Sequence, residues 1–197
     1  MEARRLTRSL GWLWVGYLAR SLAYFGLILV FTRALGAAGF GVLSLFLAVT
    51  LGVSQLAGSW PFLAVPVLSA REGTIAAAFR PSLYVATAAT AVSLIVAVPV
   101  SIAIGLDDPV TLAAIVAATV ALVGLQGVFS VQQTEGRMAG IALLQAAERV
   151  LALILALAVV VAGGLGVIGA QVLLAVAAVL AGAAGLVVVG RRQHLFR

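Results

Sequence analysis

The sequence predicts an all-α integral membrane protein, a bundle of about six transmembrane helices. Of its 197 residues, 64% are hydrophobic and only 9% are charged. The mean hydropathy of +1.24 lies outside the range of ordinary soluble domains. A helix needs about twenty apolar residues to cross the hydrocarbon core. Residues 1–197 therefore form one transmembrane lobe, with spans predicted near residues 10–32, 40–66, 83–105, 110–131, 140–162 and 167–189.

The positive charges predict the orientation of these spans. The net charge is +6, and the chain has twelve arginines and no lysine. Most lie before the first span, after the second, after the fourth and after the sixth, so they alternate with connections that carry Asp107 and Asp108 or the uncharged run Gly-Gly-Leu-Gly. Arg33, at the outer end of the first span, is the one exception. Because basic loops stay inside, we expect a multi-pass protein of the cytoplasmic membrane with both termini cytoplasmic. The arginines of these loops are Arg4, Arg5, Arg8, Arg71, Arg80, Arg137, Arg191, Arg192 and Arg197.

Several functional classes find no support in the sequence. The arginines lie in short clusters between apolar runs, which does not suit a nucleic-acid surface. The absence of cysteine excludes disulfides and thiolate metal sites. Asp107 and Asp108 precede Pro109 as an isolated acidic pair, which is typical of a turn. No metal cluster, nucleophile arrangement or phosphate-binding loop is present, so we predict no enzyme activity, metal or cofactor. The segment Met1–Ser9 resembles the start of a signal sequence, and we interpret it as part of a retained anchor.

The first span carries one charge, Arg20, near its middle. A charge at this depth costs about 2.5–3.5 kcal/mol on insertion scales and normally faces other helices, a watery cavity or a counter-ion. Gly16, Tyr17 and Tyr24 share its helical face. We therefore expect this face to point into the bundle.

The fifth span contains the other deep charges, Glu148 and Arg149, preceded by Gln145. Adjacent residues of a helix do not face each other, so at least one needs a partner on another helix. Arg20 and Glu148 each lie about ten residues, or roughly 15 Å, from the same side of the membrane. We predict that Arg20 pairs with Glu148 while Arg149 faces a cavity. The alternative is an ion network that only stabilises the lobe.

Two further segments allow either a structural or a functional interpretation. Polar side chains recur on the fourth span, where they indicate hydrogen bonds between helices or a cavity wall. In the second span, Pro61 and Pro66 suggest a break near residues 58–61, which would mark an over-long tilted helix or the hinge of a transport gate. The polar residues of the fourth span are Thr119, Gln126, Ser130 and Gln133.

The end of the first span resembles a known family. Residues 32–36 read Thr-Arg-Ala-Leu-Gly and residues 39–41 read Gly-Phe-Gly, which is similar to the signature of polysaccharide biosynthesis flippases in the multidrug, oligosaccharidyl-lipid and polysaccharide exporter superfamily. The segment Gln-Thr-Glu-Gly-Arg at residues 133–137, followed by Arg149, is also similar to that family. The resemblance covers the whole chain but only one lobe of a two-lobed protein.

This resemblance implies alternating-access transport of a lipid-linked oligosaccharide or polysaccharide precursor. The implied partners are this substrate, membrane lipid, and a second lobe from another copy or another chain. Candidate cavity residues are Arg20, Tyr24, Gln126, Gln145, Glu148 and Arg149, and candidate structural residues are Arg33, Gly36, Gly41, Pro61 and Pro66. The alternatives are half of a drug exporter from the same superfamily, which would favour a more acidic cavity, and a scaffold subunit that transports nothing.

Overall fold

The computed structural model describes the backbone of residues 2–193 and the side chains of residues 11–191. All regular secondary structure in this part of the chain is helical. The terminal arginines Arg4, Arg5, Arg8, Arg192 and Arg197, and the anchor segment Met1–Ser9, lie outside the described side chains. The helices are α1 (Glu2–Glu72), α2 (Ile75–Ala103), α3 (Pro109–Thr134), α4 (Met138–Val161) and α5 (Val167–Gln193).

Helix α1 is divided at Gly36 into a first segment, residues 2–35, and a second segment, residues 37–72. Gly36 has φ 68° and ψ 179°, a conformation that is essentially restricted to glycine. Leu27 and Phe31 of the first segment share one hydrophobic cluster with Leu43 and Phe46 of the second. The two segments therefore fold against each other, and the bundle has six segments in five helices.

All five helices are long and apolar enough to cross a membrane over the described residues. Large hydrophobic side chains such as Leu56, Ile95 and Val161 project outward with more than 70% of their surface exposed. An outer surface of this kind is stable in lipid. The predicted all-helical, multi-pass membrane fold is thus confirmed.

The turns between the helices contain glycines with positive φ and two side-chain caps. Gly73 (φ 73°) separates α1 from α2, and the Thr74 side chain accepts a hydrogen bond from the Ala77 amide at the start of α2. Asp108 caps α3 by accepting from the Thr111 amide at 2.8 Å. The third span was predicted to begin near residue 83, but the cap at Thr74 starts α2 eight residues earlier.

The core has two clusters, one in each half of the bundle. The cluster near the Gly36 turn contains Phe46, Ile115 and Ala156. A buried hydrogen bond of 2.6 Å from Thr111 Oγ1 to Gln171 Oε1 joins α3 to α5 in the same half. The second cluster, nearer the turns at Gly73 and Gly136, contains Phe62 stacked on Phe79 with ring centroids 5.8 Å apart. We call these halves the Gly36 half and the Gly73 half.

The second segment does not break near residues 58–61, so that prediction is wrong. The helix continues through Pro61 and Pro66 to Glu72. A proline removes one backbone donor, but the helix on either side keeps its own hydrogen bonds. At about 1.5 Å per residue, the segment is about 50 Å long and exceeds the hydrocarbon thickness. It is the over-long helix that sequence analysis offered as the alternative to a hinge.

Candidate functional site

A cavity of about 370 Å³ lies in the Gly73 half of the bundle. Its wall comes from both segments of α1 and from α3 and α4, and it reaches from the level of Arg20 to that of Gln133 near the end of α3. The wall combines a polar part with an apolar part. Its residues are Arg20, Leu51, Ser54, Gln55, Ser59, Phe62, Leu63, Leu122, Leu125, Gln126, Phe129, Ser130, Gln133, Leu144, Gln145, Glu148 and Arg149.

Arg20 enters this cavity from the first segment of α1. The first segment packs on α4, where Gly16 lies directly against Ala142, and one turn later Arg20 Nη1 donates to Gln145 Oε1 at 2.8 Å. The partner is a neutral amide. A guanidinium has five N–H donors, so most of the donors of Arg20 are available to another group at the cavity wall.

Arg149 makes more contacts than Arg20 does. Its Nε lies 3.1 Å from Glu148 Oε2, and each of the two side chains is only about a tenth exposed (12% and 11%). The guanidinium carbon also lies 5.7 Å from the centroid of the Tyr24 ring, within the range of a cation–π contact. Arg149 therefore has an anionic partner on one side and an aromatic face on another.

These contacts correct the predicted ion pair. Glu148 contacts Arg149 directly, whereas Arg20 hydrogen-bonds to Gln145 and acts on Glu148 only through its charge. The sequence argument held that adjacent helical residues do not face each other and cannot fully neutralise one another. The arginine side chain is long enough to bring its Nε back to the neighbouring carboxylate, and both residues line the same cavity.

The structure brings five of the six predicted cavity residues to the cavity wall. They are Arg20, Gln126, Gln145, Glu148 and Arg149. Tyr24 is not part of the wall, but its ring makes the cation–π contact with Arg149. With all three charges ionised, two arginines and one glutamate give this group of residues a net charge of +1.

Gln126 is held against the second segment of α1. Its Nε2 donates to the Ser54 carbonyl at 3.3 Å. Its Oε1 is buried without a partner among the described residues. A Cβ atom at Gly58 would overlap this oxygen. The glycine therefore provides the space in which the amide lies.

Sequence analysis missed the polar residues that the second segment contributes. Gln55 and Ser59 lie one turn apart on the cavity wall, beside Ser54. The available signal was their helical spacing within an apolar run. The two prolines drew the interpretation of this segment toward a break instead.

The predicted structural residues differ in their environments. Gly36 has the positive φ described above, whereas Gly41 is exposed, has no positive φ and has nothing within 4 Å of a Cβ position. Arg33 is exposed near the Gly36 turn. Nothing in the structure requires glycine at position 41.

Residues 11–191 contain no cluster of three or more metal-ligating side chains. Comparisons of the chain with protein-family models, curated proteins and solved structures found no match.

Proposed function

We propose that this chain is one lobe of a transporter that moves a lipid-linked oligosaccharide or polysaccharide precursor across the cytoplasmic membrane, with both termini cytoplasmic. The observation that carries the proposal is the cavity within the spanning helices, where Arg20 presents a guanidinium held by a neutral amide. Sugars and phosphates are strongly hydrated and enter lipid at a large free-energy penalty. A polar, positively charged cavity lowers this penalty.

The mixed wall suits an amphiphile. Arg20, Gln145 and Arg149 form a polar region that would bind an anionic head group. Leu63 and Phe129, on the second segment and on α3, belong to an apolar region that would contact the adjoining hydrocarbon. A ligand with a phosphate group next to a hydrocarbon chain satisfies both regions at once.

The size of the cavity supports the need for a second lobe. A volume of about 370 Å³ is near the lower limit of ligand pockets, which span about 300–1,000 Å³. A cavity of this volume would accommodate the phosphorylated end of such a ligand, and a complete oligosaccharide would extend beyond it. Gln55 is exposed at the wall in the middle of the second segment, and a polar side chain at membrane depth needs a partner. In the proposal, a second lobe from another copy or another chain covers Gln55.

The charge of the cavity favours an anionic ligand over a cationic drug. For a cation-coupled drug exporter we expect a more acidic cavity, whereas here two arginines outnumber Glu148 among the wall residues. A scaffold subunit would need no ligand, so binding and transport measurements separate that alternative from the proposal.

The first test is binding of a polyprenyl pyrophosphate disaccharide to the purified protein in phosphatidylcholine nanodiscs. Arg20→Gln should weaken binding at least about tenfold, because a charge-assisted hydrogen bond contributes roughly 1.5–3 kcal/mol. Arg71→Gln is the matched control, since Arg71 is exposed at the end of α1 away from the cavity. Equal affinities of the Arg20→Gln variant and the wild type would overturn the proposed site.

The second test is translocation of the same lipid, carrying a fluorescent label, in vesicles that contain several copies of the protein. We expect faster movement than in protein-free vesicles and a loss of this movement in Arg20→Gln. Movement at the protein-free rate, with the lipid bound normally, would exclude a transporter made of two copies of this chain.

A further inference from the structure

Glu148 is the one anionic side chain at the cavity wall in the described part of the chain. It is buried, with 8% of its surface exposed, and its carboxylate contacts Arg149 Nε at 3.1 Å. If the cavity binds an anionic head group, a carboxylate at the wall opposes that binding. The presence of Glu148 therefore calls for an explanation.

The two arginines of the cavity differ in what the ligand must displace. Arg20 is hydrogen-bonded to the amide of Gln145 and attracts Glu148 without touching it, so an anion can bind Arg20 without breaking a direct ion pair. Arg149 is already neutralised by Glu148 and covered by Tyr24. An anion that binds Arg149 has to compete with the carboxylate.

We propose that Glu148 competes with the ligand's phosphate for Arg149. This competition limits how tightly the cavity holds an anionic head group. This inference rests on the proposed function, because it assumes an anionic ligand in this cavity. Arg20 gives the first contact, and Glu148 occupies Arg149 until a phosphate oxygen replaces it.

Limited affinity has a functional advantage for a transporter. A ligand that interacts with both arginines in a poorly solvated cavity would dissociate slowly, since electrostatic attraction strengthens as water is excluded. Glu148 returns to Arg149 when the ligand leaves and restores the ion pair. The carboxylate thus favours release without removing the attraction that Arg20 provides.

The test uses four proteins that differ in the charge of the cavity. With all three groups ionised, the net charge is +1 in the wild type, +2 in Glu148→Gln, 0 in Arg149→Gln and +1 in the double variant Glu148→Gln/Arg149→Gln. The probe is a polyprenyl pyrophosphate in phosphatidylcholine nanodiscs. The measurements are its dissociation constant and its dissociation rate.

We expect Glu148→Gln to bind about tenfold more tightly and to release the probe correspondingly more slowly. Arg149→Gln should bind more weakly than the wild type, because Glu148 then repels the phosphate without a partner. The double variant should return to within about threefold of the wild type. Glu135→Gln is the matched control, because Glu135 pairs with Arg137 outside the cavity, and it should bind like the wild type.

The proposal is overturned if Glu148→Gln folds normally, judged by a single size-exclusion peak, and binds no more tightly than the wild type. If Glu148→Gln does not fold, the comparison moves to the other two variants. Removing Glu148 from the Arg149→Gln background must then strengthen binding, and equal affinities would overturn the proposal.

The two proposals fail in different ways. If Arg20→Gln binds the probe as tightly as the wild type, the proposed anion site is refuted. If Arg20→Gln weakens binding as expected but Glu148→Gln does not strengthen it, only the competitor role of Glu148 is refuted.

Discussion

Gly16 of the first segment lies against Ala142 of α4, so that a Cβ atom at Gly16 would come within 2.5 Å of the Ala142 Cβ and 2.9 Å of its carbonyl carbon. Real Cβ atoms do not approach so closely, and backbone atoms cannot turn aside as a flexible side chain can. Close approach through small residues is typical of helix packing in membranes. This contact lies one turn from Arg20 and sets the distance between Arg20 and Gln145.

Gly16→Ala should therefore destabilise the protein by about 1–3 kcal/mol, the usual range for overpacking. It should also weaken the contact between Arg20 and Gln145. The measurement is the temperature at which the detergent-solubilised protein loses its size-exclusion peak. Gly11→Ala is the control, because nothing lies within 4 Å of its Cβ position. Equal melting of the two variants would contradict the packing argument.

Gly36 and Gly41 form a second matched pair, since both belong to the glycine signature that follows the first span. Only Gly36 has a backbone that other residues rarely adopt. Gly36→Ala should cost about 1–3 kcal/mol of stability although no atom would clash with the new Cβ. Gly41→Ala should be neutral in the same thermal assay. A stable Gly36→Ala protein would mean that the turn can form with another geometry.

The contact of Gly58 with Gln126 gives a prediction about the cavity. Gly58→Ala places a methyl group against Gln126 Oε1, so the amide has to shift, and we expect it to lose its hydrogen bond to the Ser54 carbonyl. We expect weaker binding of the polyprenyl pyrophosphate probe by about threefold to tenfold, equivalent to about 0.7–1.4 kcal/mol.

Shortening the glutamine supplies the control for this prediction. The double variant Gly58→Ala/Gln126→Ala removes the displaced amide and should recover most of the lost affinity. If the double variant binds as weakly as Gly58→Ala alone, the effect comes from the helix backbone and not from Gln126.

The sequence was sufficient to predict the long apolar helices and the break between the first two segments at Gly36. Long apolar runs predict membrane helices without knowledge of the tertiary packing, because lipid requires apolar side chains on the outer surface in any case. Gly36 was recognisable from its motif. The start of α2 was placed too late because the Thr74 cap lies among polar residues, outside the apolar run that defined the third span.

The partners of the deep charges could not be read from the sequence. Depth placed Arg20 and Glu148 at one level, and they do line one cavity. The choice between Arg20 and Arg149 as partner of Glu148 depends on side-chain rotamers and on the amide of Gln145. Helical periodicity contains neither kind of information. The continuity of the helix through Pro61 likewise depends on its packing, with Ala57 and Phe62 buried on either side of the proline position.

The proposed orientation in the membrane can be tested with single cysteines, because the natural chain has none. Glu72 and Asp107 are exposed at the ends of α1 and α2. Glu72 lies beside Arg71, in a loop that the positive-inside rule places in the cytoplasm. Asp107 lies at the opposite end of α2, and we expect it outside.

In intact cells, a membrane-impermeant maleimide should label Asp107→Cys but not Glu72→Cys. Permeabilised cells should show labelling at both positions, which demonstrates that Glu72→Cys is reactive, while the wild type stays unlabelled. The reverse pattern would place both termini outside. The cavity lies in the Gly73 half of the bundle, so the expected pattern would place it on the cytoplasmic side, where lipid-linked precursors would have to enter. The reversed pattern would require the ligand to enter from the other leaflet and would contradict export in this conformation.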